Sequence, residues 1–595
     1  MILQMAHIEK LQMSSLVLNG ASSPESQQAI DKLLKLVTSC AGPRGKFHLL
    51  RNNCGGHVTC TSSCSRLLPA LSITRTEVKL IISSVQAHLK QHHDCGLFMA
   101  CVSLHLIRSS VGKGIHVPTF SSLYELFVKQ LCDYLASPHC TVCVTADFTD
   151  LQVLLAYVRS IILSKSFLTL NEKTCDSLCQ LIVSAFVETI PEDSRKIRHS
   201  DGIQILGIDK MHVRNSRFVQ GLLLEYPEMP VIQGSVPLNL KTLTMKEVDG
   251  RECNLQPDNY VKVALMTCSL SGDAEEIIDA NYEVEKDVYE NLDHMILNKM
   301  ESMFEEFDKY DVGLVLCQKV IHPKLKGRLR TMGILFVERL GSHMIPYLQD
   351  LTGANCIRSF VVSTNFSEFF GRVQSVQHII ECDKSYIQLT QPKSSVGTLV
   401  LCELWEERLL ELKSSVRSAL SGLLSLSREP RLLAGGGCWQ IHCSYHLNMM
   451  VLNRLHQLSK EKNCSEASII SALTTFRSSL HHWVHSLGAA QHDLAVDPLF
   501  HHCWVLPPVD DNSSDTVTCC CGLKSAPQEL VSEFELISHT PPLYLKESKD
   551  THVIDNGVSC RTILDHFTAS TQALSKGVFI ANLVSSIDKF IIDKN

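Results

Sequence analysis

The order of the hydrophobic patterns along the chain limits its fold more than any single motif does. Up to about residue 190, apolar side chains recur at helical spacing, as in residues 24–41. The middle third instead alternates short β-rich runs, such as residues 261–266 and 312–316, with helical segments, which is typical of an α/β domain. The helical pattern returns from about residue 404. This order predicts an α+β multidomain chain, with a middle domain inserted into a base that both chain ends build.

Length, charge and hydropathy exclude several classes of protein. At 595 residues the chain is too long for a single hydrophobic core and predicts about three domains. A net charge of −7 without a block of Lys and Arg argues against a general nucleic-acid binder. No apolar stretch is long enough to span a bilayer, and the first residues lack the basic and apolar pattern of a signal peptide. We therefore expect a soluble intracellular protein.

Cysteine and histidine are abundant, with 25 and 27 residues. In a reducing compartment, free cysteines act as small apolar side chains. Two clusters, Cys140 with Cys143 and residues 519–521, suggest zinc ligands, but neither has an obvious second pair of ligands at suitable spacing. We therefore expect no metal. The paired histidines, such as residues 481–482 and 501–502, are expected at the surface.

Two glycine turns are candidate phosphate loops. Residues 42–45 read Gly-Pro-Arg-Gly and residues 435–437 read Gly-Gly-Gly, and each follows an amphipathic helical stretch. Glycine allows backbone N–H groups to converge on an anion at the start of a helix. ATP or ADP is thus a candidate ligand. The alternative is that the turns only shape the core.

The two turns belong to a longer set of motifs that resembles the group II chaperonins, the family of the thermosome and the eukaryotic cytosolic chaperonin. In that family a Gly-Pro-x-Gly loop and a Gly-Gly-Gly-Ala-x-Glu stretch line the nucleotide site, and residues 216–221 and 587–588 are similar to its apical and C-terminal motifs. The matches follow the family order over nearly the whole chain. The resemblance implies a mostly helical equatorial domain, an intermediate hinge and an α/β apical domain. The implied boundaries are residues 1–150 and 429–595 (equatorial), 151–200 and 384–428 (intermediate), and 201–383 (apical).

The resemblance also implies which residues would contact a nucleotide. They are the glycines and the proline of the two turns, whose backbone would approach the phosphates. The candidate nucleotide-binding residues are Gly42, Pro43, Gly45, Gly435, Gly436 and Gly437.

The acidic residues on which the family's ATP hydrolysis depends are missing at the matching positions. The motif Gly-Asp-Gly-Thr-Thr, whose Asp binds Mg²⁺, reads Asp-Cys-Gly-Leu-Phe here, so Cys95 replaces the metal ligand and Asp94 is a candidate substitute one position earlier. The Asn-Asp-Gly turn reads Cys-Gly-Gly at residues 54–56. Ser418 replaces the catalytic Asp, and Gln440 replaces the Glu after the glycine triplet. Phosphoryl transfer needs carboxylate-held Mg²⁺ and a group that positions water, so we assign no catalytic residue and expect no efficient turnover.

Within the family, residues 94–98, 314–323 and 593–595 are similar to one divergent vertebrate branch of chaperonin-like proteins. That likeness implies a protein that binds other proteins as clients and acts with other chaperonin-like proteins and the cytosolic chaperonin. It further implies a role in assembling the BBSome, a ciliary trafficking complex, and a location in the cytoplasm and at the centrosome or ciliary basal body. The loss of hydrolysis favours a monomer or a mixed complex over a closed ring.

Two other functions and one client-binding surface are consistent with the sequence. One alternative is an ATP-dependent folding chaperone that binds Mg²⁺ through Asp94, and the other is a structural scaffold that binds no nucleotide. In the apical region, an acidic helix expected at residues 283–308 carries Met295, Ile296 and Met303 as candidate client contacts.

Overall fold

A computed structural model gives the architecture of most of the chain. The predicted turn at residues 54–56 and the C-terminal residues 593–595 lie outside the part that it describes. The described residues are 15–18, 23–51, 58–110, 117–165, 168, 170–190, 202–226, 260–272, 292–359, 366–382, 384–392, 394–488, 493–506, 516–543, 552–587 and 589–592.

The helices of the described residues are numbered in chain order. They are α1 (Pro24–Ser39), α2 (Cys64–Leu67), α3 (Thr76–His92), α4 (Gly96–Ser110), α5 (Val117–Ala136), α6 (Leu151–Leu163), α7 (Glu172–Thr189), α8 (Leu292–Lys309), α9 (Pro323–Thr331), α10 (Ile345–Thr352), α11 (Glu406–Leu426), α12 (Cys438–Asn453), α13 (Leu455–Lys462), α14 (Glu466–Gly488), α15 (Gln528–Ser532) and α16 (Phe567–Ser586).

The strands are numbered in the same way. They are β1 (Ser15–Leu18), β2 (His48–Arg51), β3 (Val58–Thr61), β4 (Cys143–Thr145), β5 (Ile203–Asp209), β6 (Arg217–Gln220), β7 (Leu222–Glu225), β8 (Val261–Met266), β9 (Val312–Cys317), β10 (Leu335–Val337), β11 (Cys356–Ile357), β12 (Gly371–Val373), β13 (Ser375–Glu381), β14 (Lys384–Thr390), β15 (Gly397–Glu403), β16 (Arg431–Ala434), β17 (Leu494–Val496), β18 (Cys503–Val505), β19 (Thr516–Thr518), β20 (Lys524–Pro527), β21 (Glu535–Leu536), β22 (Ile554–Asp555), β23 (Leu564–His566) and β24 (Lys589–Ile592).

These elements form two compact units. The first consists of Met1–Val183 with Glu406–Asn595, and the second of Ser184–Trp405. The second unit is therefore inserted into the first, which both ends of the chain build. The finer division into equatorial, intermediate and apical domains stays a prediction.

The core of the first unit is a helical assembly around α4. The first predicted helix has its N-cap at Ser23, whose hydroxyl accepts from the Ser26 amide at 3.2 Å, and its expected apolar face is buried. Helix α4 is buried on nearly all sides, as expected of a helix that is apolar around its whole circumference. Helix α16 approaches α4 closely at Gly577. A Cβ at that position would lie 3.1 Å from the Met99 carbonyl oxygen. A side chain at position 577 would therefore push the two helices apart.

Short strands in the first unit are the main element that the sequence pattern missed. Strands β17, β18 and β21 form one sheet, β19, β20 and β22 form a second, and both fall where helix or loop was expected. Each of these strands has only two to four residues, so an alternating pattern is too short to recognise. The predicted C-terminal strand is present as β24 and pairs antiparallel with β1, near the other end of the chain.

The second unit contains the α/β sheet that the middle third predicts. The strand order is β10-β9-β8-β11, all neighbours are parallel, and β12 adds to β8 antiparallel. Alternate residues of β8 point to opposite faces: Val263 and Leu265 pack with α10, whereas Ala264 and Met266 pack with α8. A parallel sheet buried on both faces explains why its strands are mostly apolar, with Lys262 of β8 as an exception.

The candidate client contacts on helix α8 are wrong for two of the three residues. Ile296 and Met303 are 1% and 3% exposed and pack against the sheet. The Met295 side chain lies outside the described residues. The methionine and isoleucine spacing therefore marks the buried face of an amphipathic helix rather than a surface for clients. None of the described helices is both long and apolar enough to cross a membrane.

Candidate functional site

The first unit contains a cavity of about 480 Å³, a size typical of small-molecule sites. Helical segments and one adjoining turn form much of its wall. They are the turn after α1, the start of α4, the last turn of α6, the middle of α11, the start of α12 and the end of α14. Residues far apart in the sequence therefore meet at one place. Both predicted glycine turns contribute, through Gly42, Pro43 and Gly436. Gly45, Gly435 and Gly437 shape the turns without lining the cavity.

The turn at residues 42–45 requires glycine at both ends. Gly42 has a φ of +74°, and a Cβ there would lie 2.8 Å from the Leu487 carbonyl oxygen. A Cβ at Gly45 would lie 2.3 Å from the Cys40 carbonyl oxygen, closer than any real Cβ contact. The Gly45 amide donates to the Gly42 carbonyl at 3.0 Å, which closes the turn. The glycines are thus needed for the shape of the loop, whether or not it holds a phosphate.

The glycine triplet leads directly into a helix. The Gly435 amide donates to the Ile563 carbonyl at 2.8 Å, so it is not available to a ligand. Gly436 and Gly437 have φ values of +63° and +90°, and α12 begins at the next residue, Cys438. Helix N-termini present unused amides and a positive dipole end, both of which favour an anion. The Cys438 amide already donates to the Gly435 carbonyl at 3.1 Å, and phosphate binding at this turn stays a prediction.

The junction of α3 and α4 shows how the metal-binding motif has changed. Cys95 has a φ of +59°, in the left-handed region that Asp and Asn tolerate better than other residues with a side chain. Its thiol lies 3.6 Å from the Ser570 hydroxyl, and burial raises the pKa of Cys95 well above the usual range. Asp94 lines the cavity and accepts from the Cys95 amide at 2.7 Å. The neutral thiol offers no hard ligand for Mg²⁺.

Ser418 and Gln440 also line the cavity, as the resemblance implies. The Ser418 hydroxyl donates to the His93 carbonyl at 2.6 Å, which ties α11 to the end of α3. Gln440 is buried, and in the amide orientation that satisfies its hydrogen bonds it donates to the Gly437 carbonyl at 3.3 Å. Both side chains therefore have local structural partners and neither is a general base at neutral pH.

Sequence reasoning missed an acidic residue in this wall. Asp565, on β23, accepts from the Trp439 indole N–H at 2.9 Å. Burial, and next the charge of Asp94, raise the pKa of Asp565 to about 6. Burial also raises the pKa of Asp94. No motif pointed to Asp565, because only the pairing of β16 with β23 brings it beside the glycine triplet.

Cations exceed acids in the lining. Besides Asp94 and Asp565, the described wall contains four cationic side chains, those of Arg44, Arg159, Lys165 and Arg561, which gives a formal excess of two positive charges. Lys165 follows α6, and its charge lowers the pKa of Asp94 and of the buried Glu411 on α11. Burial is the largest single effect on each carboxyl and acts in the opposite direction; it prevails at Asp94, whereas the pKa of Glu411 is lowered on balance. Arg159 and Arg561 also form ion pairs with Glu172, which offsets part of this excess. A partly open cavity between two glycine turns, with Lys165 in its wall, is suited to a phosphate-bearing ligand.

A second group of polar side chains lies beside this cavity and corrects two expectations. His481 and His502 are fully buried rather than at the surface. Cys519 and Cys521 do have further potential ligands nearby, namely Cys438 and His502. The argument against a metal here, the lack of a second pair, is therefore wrong. Cys140 and Cys143 belong to no such group among the described residues.

The chain matches known proteins along most of its length. The model of the TCP-1/cpn60 chaperonin family matches residues 33–480. The chain is 29% identical to Molecular chaperone MKKS of Mus musculus over 584 residues, covering 96% of this chain and 97% of that protein. It is also 29% identical to the Homo sapiens protein of the same name, covering 95% of each. Thermosome subunit beta of Desulfurococcus mucosus is 22% identical over 427 residues, 70% of this chain and 78% of that protein.

These matches confirm the predicted resemblance. The divergent branch indicated by the sequence is that of the McKusick–Kaufman/Bardet–Biedl syndrome chaperonin-like protein, and the similarity to Molecular chaperone MKKS supports it. The mixed helical and α/β architecture is consistent with a group II chaperonin-like fold. With three quarters of its length matched by the family model, this chain belongs to the TCP-1/cpn60 chaperonin family.

Proposed function

We propose that this protein is a chaperonin-like binder of other proteins that holds a nucleotide without hydrolysing it efficiently. The observation that carries the proposal is the cavity wall. It contains residues of both glycine turns and Lys165, yet it has Cys95, Ser418 and Gln440 at three of the four positions where the resemblance places the family's carboxylates. Binding of phosphate depends on the backbone turns and on positive charge. Hydrolysis depends on the carboxylates.

We further propose that its clients are subunits of the BBSome. In this proposal the protein works in the cytoplasm and at the centrosome or ciliary basal body, together with other chaperonin-like proteins and the cytosolic chaperonin. The support is its likeness to the divergent chaperonin-like branch described above. Pull-down of BBSome subunits and of chaperonin subunits by the tagged full-length chain tests this. Recovery of neither group above a control bait would contradict it.

The first prediction concerns turnover. Purified protein with ATP and Mg²⁺ should hydrolyse ATP about 100-fold or more slowly than a ring chaperonin, since removal of a general base alone costs at least that factor. Ser418→Asp alone should not restore activity, because the new carboxylate would face the His93 carbonyl that Ser418 now donates to at 2.6 Å. The measurement is phosphate release in steady state. The triple variant Cys95→Asp, Ser418→Asp, Gln440→Glu places carboxylates at all three positions and is the variant to compare. Wild-type turnover near that of a ring chaperonin would overturn the proposal.

The second prediction concerns binding. ATP or ADP at saturating concentration should raise the thermal unfolding midpoint, because a ligand at 100 times its Kd stabilises the folded state by about 2.7 kcal/mol. Gly45→Ala should abolish this shift and destabilise the fold by about 1–3 kcal/mol, since its Cβ would overlap the Cys40 carbonyl. The matched control is Gly327→Ala, where a Cβ meets nothing within 4 Å. No nucleotide shift in the wild type or in Gly327→Ala would favour the alternative of a scaffold that binds no nucleotide. An equal shift in both variants would show that the nucleotide binds away from the Gly45 turn.

One observation favours the second candidate function, an ATP-dependent folding chaperone. Asp94 and Asp565 both line the cavity, and the charge of Asp94 raises the pKa of Asp565, so they are the carboxylates from which a replacement Mg²⁺ site would be built. If such a site operates, Mg²⁺ should increase the stabilisation by ATP, and Asp94→Asn should remove the increase. We expect no such Mg²⁺ dependence in the wild-type protein.

A further inference from the structure

Four metal-ligating side chains converge in the first unit, outside the cavity but next to its wall. Cys438 is the first residue of α12, His502 directly precedes β18, and Cys519 and Cys521 lie in the turn between β19 and β20. All four residues are buried, and their ligand atoms all lie within 4.8 Å of one another. Three separate segments, up to about 80 residues apart in sequence, thus supply one donor group.

The distances within the group are close to those of a tetrahedral ion site. Cys519 Sγ and Cys521 Sγ are 3.3 Å apart, and Cys521 Sγ lies 3.4 Å from His502 Nδ1. Zinc with bonds of 2.3 Å to sulfur and 2.0–2.1 Å to nitrogen places its ligand atoms about 3.5–3.8 Å from one another. The widest pair has to approach by about 1 Å, which a rotamer adjustment of one side chain provides.

The surroundings supply a hydrogen-bond donor to one sulfur and hold the imidazole in one orientation. The Lys524 amide donates to Cys519 Sγ at 3.3 Å, and Cys438 lies at the positive end of the α12 dipole. His502 turns Nδ1 towards the thiols, while its Nε2 is buried and has no hydrogen-bond partner among the described residues. A proton on Nε2 leaves the Nδ1 lone pair directed into the group, which is the form that binds a metal.

We propose that Cys438, His502, Cys519 and Cys521 form a structural zinc site. Three soft thiolates and an imidazole select zinc over Mg²⁺ or Ca²⁺, and three Cys with one His is an established set for closed structural sites. Because all four residues are buried, no position is open to a substrate. The ion stabilises the fold and takes no part in chemistry.

The site connects to the nucleotide cavity through the turn that carries two of its ligands. Cys520 lies between Cys519 and Cys521, lines the cavity, and has its carbonyl oxygen 2.7 Å from where a Cβ of Gly436 would be. Cys438 follows the glycine triplet directly. The ion therefore holds the glycine triplet against the 519–521 turn, and with it one side of the cavity wall.

The test is the metal content of the full-length protein, purified without chelators and in a thiol-free reductant. We expect about one zinc ion per chain by mass spectrometry of the metal, and tetrahedral thiolate absorption bands after exchange with Co²⁺. A chelator should lower the thermal unfolding midpoint, and Zn²⁺ alone should restore it. Cys521→Ser should lose the ion, whereas the neighbouring Cys520→Ser should keep it.

The proposal is wrong if the protein contains no zinc after reconstitution and these three thiols are reactive or joined in a disulfide. Equal zinc content in Cys521→Ser and wild type excludes these ligands, and another ion in place of zinc excludes the assignment. If Cys521→Ser does not fold, the wild-type stoichiometry and Co²⁺ spectrum, with Cys520→Ser as control, still decide the question.

Discussion

Glu411→Ala should destabilise the first unit by about 3–5 kcal/mol, the cost of breaking a buried charge network by removing one partner. The fully buried carboxylate on α11 accepts from three consecutive side-chain hydroxyls and from the Arg66 guanidinium at 3.1 Å. Burial by itself raises the pKa of Glu411, but the charge of Lys165 and these hydrogen bonds outweigh it and hold the pKa below its usual range. The contacts of the carboxylate with the hydroxyls are Thr61 Oγ1 at 2.8 Å, Ser62 Oγ at 3.0 Å and Ser63 Oγ at 2.7 Å.

The network also determines part of the cavity. It joins β3 and the start of α2, which supply Ser63 and Ser65 to the wall, to α11, which supplies Ser418. Glu411→Ala should therefore weaken nucleotide binding as well as stability. Thermal unfolding without and with saturating ATP measures the two effects.

The matched control is one helical turn away. Glu407 lies on the same helix, its side chain is 40% exposed, and its carboxylate is 3.5 Å from the Arg66 guanidinium. Glu407→Ala removes this carboxylate. An exposed pair contributes at most about 1 kcal/mol, so this variant should remain close to wild type. If Glu407→Ala and Glu411→Ala destabilise equally, the network does not hold the segment in the way described.

Asp565→Asn should make the protein more stable at pH 7, by up to about 3 kcal/mol. The pKa of Asp565 is about 6 in the folded chain, against an ordinary value of 3.8. A raised carboxyl pKa means that the folded state binds a proton more readily than the unfolded state. The free energy of unfolding of the wild type therefore has its full value below about pH 4 and falls as the pH rises through 6 and Asp565 ionises. Two pKa units correspond to about 3 kcal/mol, and solvent in the cavity reduces that value.

The signature is a difference that depends on pH. The gain of Asp565→Asn over wild type should be largest at pH 7 and should disappear near pH 4. Buried histidines such as His481, whose pKa burial lowers to about 3, destabilise both proteins in acid and cancel in the comparison. Asp555→Asn is the control of opposite sign, since the hydrogen bond from Lys524 lowers the pKa of Asp555. A gain that does not change with pH would show that the Asp565 carboxyl is not perturbed by burial.

Most of the site could be predicted from the sequence, because local motifs identify it. The two glycine turns, Cys95, Ser418 and Gln440 were all assigned from their own short segments. Gly42, Pro43, Gly436 and the three replaced acids line one cavity, as the resemblance implied. Asp565 and Lys165 have no local signature, since a carboxylate beside a strand and a lysine after a helix occur throughout any chain. Only the pairing of distant elements places them in the wall.

The sequence by itself determined the family and the insertion of an α/β unit into a base built from both ends, and its resemblance to the family predicts the loss of the catalytic carboxylates. Periodicity and residue identity carry these properties, because both are written in neighbouring residues. The tertiary structure decided which polar residues meet: Asp94 with Asp565, Glu411 with the 61–63 segment, and Cys438 and His502 with Cys519 and Cys521. The physical reason is that such contacts join residues tens to hundreds of positions apart, and their chemistry arises only when folding removes them together from water.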